Sequence, residues 1–310
     1  MKYILVCDES GAKGYADRDE SFPGEVGVFA GILLRDDQIQ LVVSQLQPIA
    51  DQQLTAKGKL HITDLQPDVQ QKLRAQIFDT LMTNKVPCFW YAVHVAGFHK
   101  TFNTQESQMN ELRQDIITRH GPQGPRIKTS SPRSDPSPLH VELFDGLFGR
   151  AAAYVIDRAD TNADVEIWMD HVDEAIAAKF EKSAKQLFDD SPKTINASAF
   201  DTKTKQVVHA SATFTTDFSD AFKSGVAVAP AEFKTLPGNN GLILAADVLA
   251  NSLNHLFKGR SPEALFSDLN DRSAVAKHQL FKCFDVFGEW DGRDFGDVMY
   301  QHPQRSTLSN

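Results

Sequence analysis

This 310-residue chain is short of the features that would make its chemistry easy to name. It has only three cysteines, Cys7, Cys88 and Cys283, too scattered for a metal-ligand pattern or a disulfide framework, so a reduced cytoplasm is its natural setting. No run approaches the ~20 apolar residues needed to cross a bilayer. The first apolar run, Tyr3 to Cys7, is five residues long and ends in Asp8-Glu9, which does not read as a signal peptide. Positive charge is also short, with 32 Lys and Arg against 41 Asp and Glu. A net charge of −9 argues against a protein that coats nucleic acid. It leaves open an enzyme that brings nucleic acid to an acidic site neutralised by metal. No phosphate-binding Gly-rich loop ending in Lys-Ser/Thr occurs, nor a G-x-S-x-G elbow, and the ten histidines are too dispersed for zinc. Ser10 stands where a dehalogenase-type phosphatase needs a second Asp, and Gly11 and Gly14 are too sparse for an actin-type phosphate loop.

What is present is an alternation of strand and helix patterns, with 41% hydrophobic residues and no internal repeat. Strands are expected at residues 3–7, 25–34, 87–96 and 164–170, with one or two more in 205–233. Helices are expected at about 37–54, 67–82, 140–159, 173–188 and 241–257, and on to about 287. A segment at 121–138 with five prolines, two glycines and four serines reads as a loop or insertion. The pattern predicts an α/β fold as a single domain over 1–310, with that insertion and a helical C-terminal extension from about 259.

Three acids hold comparable positions. Asp8 follows the first strand, Asp170 ends the strand at 164–170, and Asp247 lies near the start of the late helix. The carboxyl ends of strands form the usual crevice in such sheets. Ala245, Ala246 and Ala250 would let the late helix lie close to it. Carboxylates converging there repel one another and hold raised pKa values unless cations neutralise them. Mg²⁺ or Mn²⁺ suits such hard oxygen ligands, and two ions ~3.5–4 Å apart can clamp a phosphodiester and activate water. Each acid also has a plainer reading: an acidic turn for Asp8 to Gly11, a helix N-cap for Asp170. Asp247 is harder to explain so, because an acid amid Leu, Ile and Ala is rarely buried unpaired. His94, His99, Trp90 and Trp168 read as structural, and Arg126, Lys128 and Arg133 as solvated loop charges.

The opening Asp-Glu-Ser-Gly after an apolar strand, His61 before a helix, the acid-ended middle strand and the Ala-Ala-Asp247-Val-Leu-Ala helix resemble a large bacterial family, domain-of-unknown-function family thirty-eight hundred. The resemblance spans roughly residues 2 to 258. It implies a ribonuclease H-like fold, a mixed five-stranded sheet flanked by helices, and a metal-dependent nuclease or related phosphodiester hydrolase. It also suggests a setting in a mobile-element or defence system. It places Asp8, Asp170 and Asp247 as metal ligands and His61 as the family's histidine, a candidate for assisting water or leaving group. Glu9 is a further ligand or supporting acid, and Asn251 an orienting group. The chain departs from the family's pattern at Lys59, where a Glu is usual, and at Leu244, where a Gln is usual. Loss of those polar groups would suit a rearranged site or a catalytically inactive binding or regulatory module, the alternative to the hydrolase. The expected partner is nucleic acid, DNA or RNA, with no membrane.

Overall fold

A computed structural model describes residues 1–53, 61–120, 127–129, 138–158, 163–186, 193–214, 228–237, 239–284 and 300–305. The strands are β1 (Lys2–Gly11), β2 (Val26–Arg35), β3 (Cys88–His94), β4 (Ile127–Thr129), β5 (Ala163–Met169), β6 (Lys193–Asp201), β7 (Gln206–Phe214) and β8 (Val228–Thr235). The helices are α1 (Asp36–Asp51), α2 (Pro67–Thr83), α3 (Val95–His120), α4 (Leu139–Arg158), α5 (Glu174–Gln186) and α6 (Gly241–Lys258).

Five strands form one mixed sheet in the order β3-β2-β1-β5-β8. β2 runs antiparallel to β1 and β3, whereas β5 is parallel to both β1 and β8. Helices cover both faces, giving the mixed five-stranded α/β sheet flanked by helices that the sequence resemblance implies. β1 is its central strand. Val6, Leu5 and Cys7 are wholly buried there because both faces of a central strand meet helices.

The period-two alternation of β1 divides the core into two. Ile4 and Val6 face the layer built from α1, α2 and α6. Tyr3, Leu5 and Cys7 face the opposite layer, with Phe144 and Phe148 of α4 and Phe180 of α5. Phe144 stacks on Phe180 at 4.6 Å, and Phe29 of β2 meets Phe180 edge-on at 5.8 Å. On the other side α6 is almost entirely buried, and Ala245, Ala246 and Ala250 have no exposed surface. Asn240 caps this helix by accepting from the Leu242 N–H at 2.8 Å. Gly241 sits so close to α1 that a Cβ there would lie 2.7 Å from backbone atoms of Leu46 and Gln47.

Several boundaries differ from those expected. β1 runs on to Gly11, so Asp8 lies inside the ladder opposite Ala30 rather than in an exposed turn. α3, β4 and β6 are additional elements, and β4, β6 and β7 form a separate three-stranded sheet. Beyond Lys258 the described residues form two short 3-10 helices, Pro262–Ala264 and Arg272–Val275, joined by turns. Pro262 and the capping side chain of Asp271, which accepts from the Ser273 N–H, restart the chain instead of continuing a helix. Lys59, Arg126, Arg133 and the tail from 285 to 299 lie outside the described residues. Among the described residues no helix is long and apolar enough to cross a membrane.

Candidate functional site

Strand alternation decides which acids meet. Even-numbered residues of β1 face α6, so Asp8 follows Val6 onto that side. In β5, Val165, Ile167 and Met169 face α4 and α5, which turns Glu166, Trp168 and then Asp170 toward α6. The parallel register ends with Val6 paired to Trp168, two residues before Asp8 and Asp170, and the Asp170 carboxylate is near enough to act on Asp8. Asp247, in the second turn of α6, approaches from the helix layer above. Asp8 and Asp170 therefore lie toward the carboxyl ends of adjacent strands on the face that α6 covers, and Asp247 meets them from the helix.

Their electrostatics agree with this placement. Burial, and next the carboxylate of Asp247, push the Asp8 carboxyl from its ordinary 3.8 up to about 8, with smaller contributions from Glu9 and Asp170. A hydrogen bond from the Glu9 N–H to Oδ1, 2.8 Å long, offsets part of the rise. Asp247 is raised as well, by burial first and then by Asp170 and Asp64. Opposing this, its Oδ2 accepts the Ile62 N–H at 2.9 Å and feels the nearby His61. The short 3-10 helix Ile62–Asp64 thus roofs Asp247 and brings His61 to the acids. Asp64 joins them too. The sequence reading passed over it because an isolated acid in Ile-Thr-Asp looks like a surface turn residue; its only signal was its place three residues after His61.

Glu9 is not brought together with them on the same side. As an odd-numbered residue of β1 it lies on the α4 face, where it pairs with Lys13 at 2.5 Å and acts on His140. The N-cap alternative for Asp170 also resolves. Asp170 Oδ1 accepts the adjoining His171 N–H at 2.7 Å, while Asp173 caps α5 by accepting from Ala175 at 2.8 Å. His94 and His99 hold backbone carbonyls of Ser267 and Ala16 at 3.0 and 2.9 Å, and Trp90 is buried with its Nε1–H donated to Leu269. Those three positions are structural, as is Trp168, which packs on the core and donates to Glu166.

The Ser-Gly half of the opening motif also faces α6. Asn254 donates to Ser10 Oγ at 3.2 Å. Gly11 has a φ of +92°, and a Cβ there would lie 2.5 Å from the Val26 carbonyl and 3.0 Å from Asn254 Oδ1. Only glycine lets β1 and α6 close at that point.

With this geometry in place the chain can be compared with known proteins. Its likeness is to an RNase HIII. A solved structure of Bst-RNase HIII in complex with Mn²⁺ is 11% identical, with a TM-score of 0.28, over 83% of this chain and 54% of that one. This chain thus spans about half the length of that protein. No family model and no curated protein matches the sequence.

The donor set is all carboxyl oxygen, which suits a hard divalent cation. No lysine or arginine among the described residues forms an ion pair with Asp8 or Asp247. Their mutual repulsion is the charge state a cation relieves. The spacing is looser than the chemistry, since among the described residues no three His, Cys, Asp or Glu side chains stand together as a metal-holding group.

Proposed function

We propose that the chain is a divalent-metal-dependent phosphodiester hydrolase acting on nucleic acid, a single ribonuclease H-like protein of the kind that its opening motif resembles. The observation that carries this reading is the meeting of Asp8, Asp170 and Asp247 on one sheet face, with the Asp8 carboxyl pushed up to about 8 by burial and by its neighbour. A protein gains no stability from unneutralised acids packed this way, and perturbed groups in such a crevice mark functional sites.

Asp8, Asp170 and Asp247 would hold Mg²⁺ or Mn²⁺. When bound, such ions neutralise the phosphate's charge and lower the pKa of water. The remaining work belongs to the chain. The Ile62 N–H fixes the orientation of Asp247. His61, half-buried beside it, is placed to pass a proton to the leaving oxygen or to take one from attacking water. Asp64, more exposed, adds negative charge at the rim and strengthens the demand for cations.

The inactive binding module remains the second reading, favoured by the looseness of the carboxylates. A cleavage assay separates the two. Labelled single- and double-stranded DNA and RNA are incubated with Mn²⁺ or Mg²⁺ and wild type, Asp8→Ala or Asp247→Ala. Metal-dependent cutting lost in both variants supports the hydrolase and names its substrate. Absence of cutting, with no metal binding by calorimetry, favours the module.

A further inference from the structure

One turn along α6 from Asp247, Asn251 meets a cation of α2 that pairs with no anion among the described residues. Asn251 is four residues on, about 6 Å along the helix axis, and its Oδ1 accepts a 2.7 Å hydrogen bond from Arg74 Nη2 of α2. Arg74 is half-buried. Its Nε is out of reach of solvent with no hydrogen-bond partner, and no carboxylate among the described residues pairs with it. Another turn along, His255 is exposed, and after burial the Arg74 charge does most to lower its pKa, ahead of Lys258.

A tie between two helices needs only a neutral amide. Sinking a guanidinium between α2 and α6 without a counter-ion carries a desolvation cost that, among the described residues, only the Asn251 amide offsets. Arg74 also leaves Asp247 unpaired, although the acid and Asn251 occupy successive turns of the same helix. Its charge is thus tied at Asn251, one helical turn from Asp247, and is not spent on that acid. The fork of a guanidinium matches the oxygens of a phosphate, and its remaining N–H groups are the donors this wall lacks partners for.

We propose that Arg74, positioned by Asn251 and joined by His255, forms a phosphate subsite. It holds the nucleic-acid backbone next to the phosphodiester lying at Asp8 and Asp247. This rests on the hydrolase reading and adds where the strand runs: from the acids along α6 toward His255. Arg74 is a binding residue here, so its loss raises KM more than it lowers kcat.

The test reads binding apart from cutting. The full chain carrying Asp8→Asn, which stops turnover, is titrated into short fluorescent single-stranded DNA and RNA in Mn²⁺ at several salt concentrations. Arg74→Met, Arg74→Lys and His255→Gln are added singly to that background. Arg74→Met is expected to weaken binding roughly tenfold and to reduce the slope of log affinity against log salt by about 1. Arg74→Lys should keep most of the salt slope, and His255→Gln should cost roughly two- to threefold. If Arg74→Met melts early, the lysine variant and the exposed His255→Gln still decide the matter. Unchanged affinity and slope in these variants, or no oligonucleotide binding by the parent, overturns the subsite. A chain that binds through Arg74 but never cuts retains the subsite and loses the hydrolase. A chain that cuts with the same KM after Arg74→Met does the reverse.

Discussion

Glu166 and Asp8 are both acids on the α6 face of the same sheet, yet the protein treats them in opposite ways. Glu166 is 2% exposed, and Lys2 and Lys234 both close on its carboxylate while the Trp168 indole donates to it. Burial alone would raise its pKa, but these partners outweigh it and hold the carboxyl at about 2. β1 carries Ile4 opposite Glu166, and four residues further along the same strand Asp8 has no such partner and stands at about 8. The chain can neutralise a buried acid when the acid is structural. At Asp8 and Asp247 no lysine or arginine of the described residues does so, and burial favours the protonated form instead.

Function should separate the two acids most sharply. Asp8→Ala or Asp247→Ala is expected to reduce metal-dependent cleavage by more than the roughly 100-fold that loss of an outer-shell partner costs. Glu166→Gln should leave kcat within about threefold, because its carboxylate is turned to lysines. Measured rates that fall equally in Glu166→Gln and Asp8→Ala would erase the distinction.

The next largest effect is in pH. Asp8 has a folded pKa above its ordinary 3.8, so the folded state binds its proton more tightly than the unfolded chain does. Stability of the metal-free protein therefore falls as pH rises from about 4 to about 8 on this account. Glu166 works the other way: its folded pKa is depressed from 4.5, so its contribution is present above that pH and is lost as pH falls toward 2. Thermal melts in chelator should show the first slope, and Asp8→Asn should remove it and raise Tm at pH 8. Mn²⁺ should raise Tm in wild type, more at pH 8 than at pH 6, because the metal competes with protons. A metal-free Tm that is flat across that range would contradict the contrast.

A stability comparison comes third. Glu166→Gln removes a buried charge while its two lysines, about half-exposed, return to water. The cost is expected to be about 2 kcal/mol, read as a lower denaturant midpoint with an unchanged slope. Asp8→Asn should be neutral or stabilising in the same melts.

How much of this was legible beforehand follows from locality. The strand with Asp8, the strand ending at Asp170 and the helix with Asp247 are strongly patterned segments, so their type and order were readable. The sharing of one face depends on two long-range facts, the Val6–Trp168 register and the packing of α6 on β1, which no short window contains. α3 was missed because Val95 to His120 is polar over most of its length and begins without a break after β3. Asp64 and Arg74 were missed for a related reason. Each is an ordinary polar residue in its own turn and gains meaning only against α6, at Asp247 and Asn251, more than 170 residues away.

The smallest expected effect is at Glu9, next to Asp8 in the opening motif and grouped with it by sequence. A side chain's neighbour along a strand points to the other face. Glu9 accordingly spends its charge on Lys13, an exposed partner, in a pair of the kind that contributes little. Its carboxylate still reaches Asp8 through space and helps raise it, though less than burial or Asp247. Glu9→Gln should therefore ease the Asp8 carboxyl downward slightly, shifting the acid limb of the cleavage pH profile to lower pH and changing the plateau rate by no more than about twofold. Glu9→Asp should do neither, since it keeps the charge on the same face. Were Glu9→Gln to abolish cutting as Asp8→Ala does, the carboxylate would have to reach around the end of β1 to the metal side. The face on which β1 presents its acids would then no longer decide their roles.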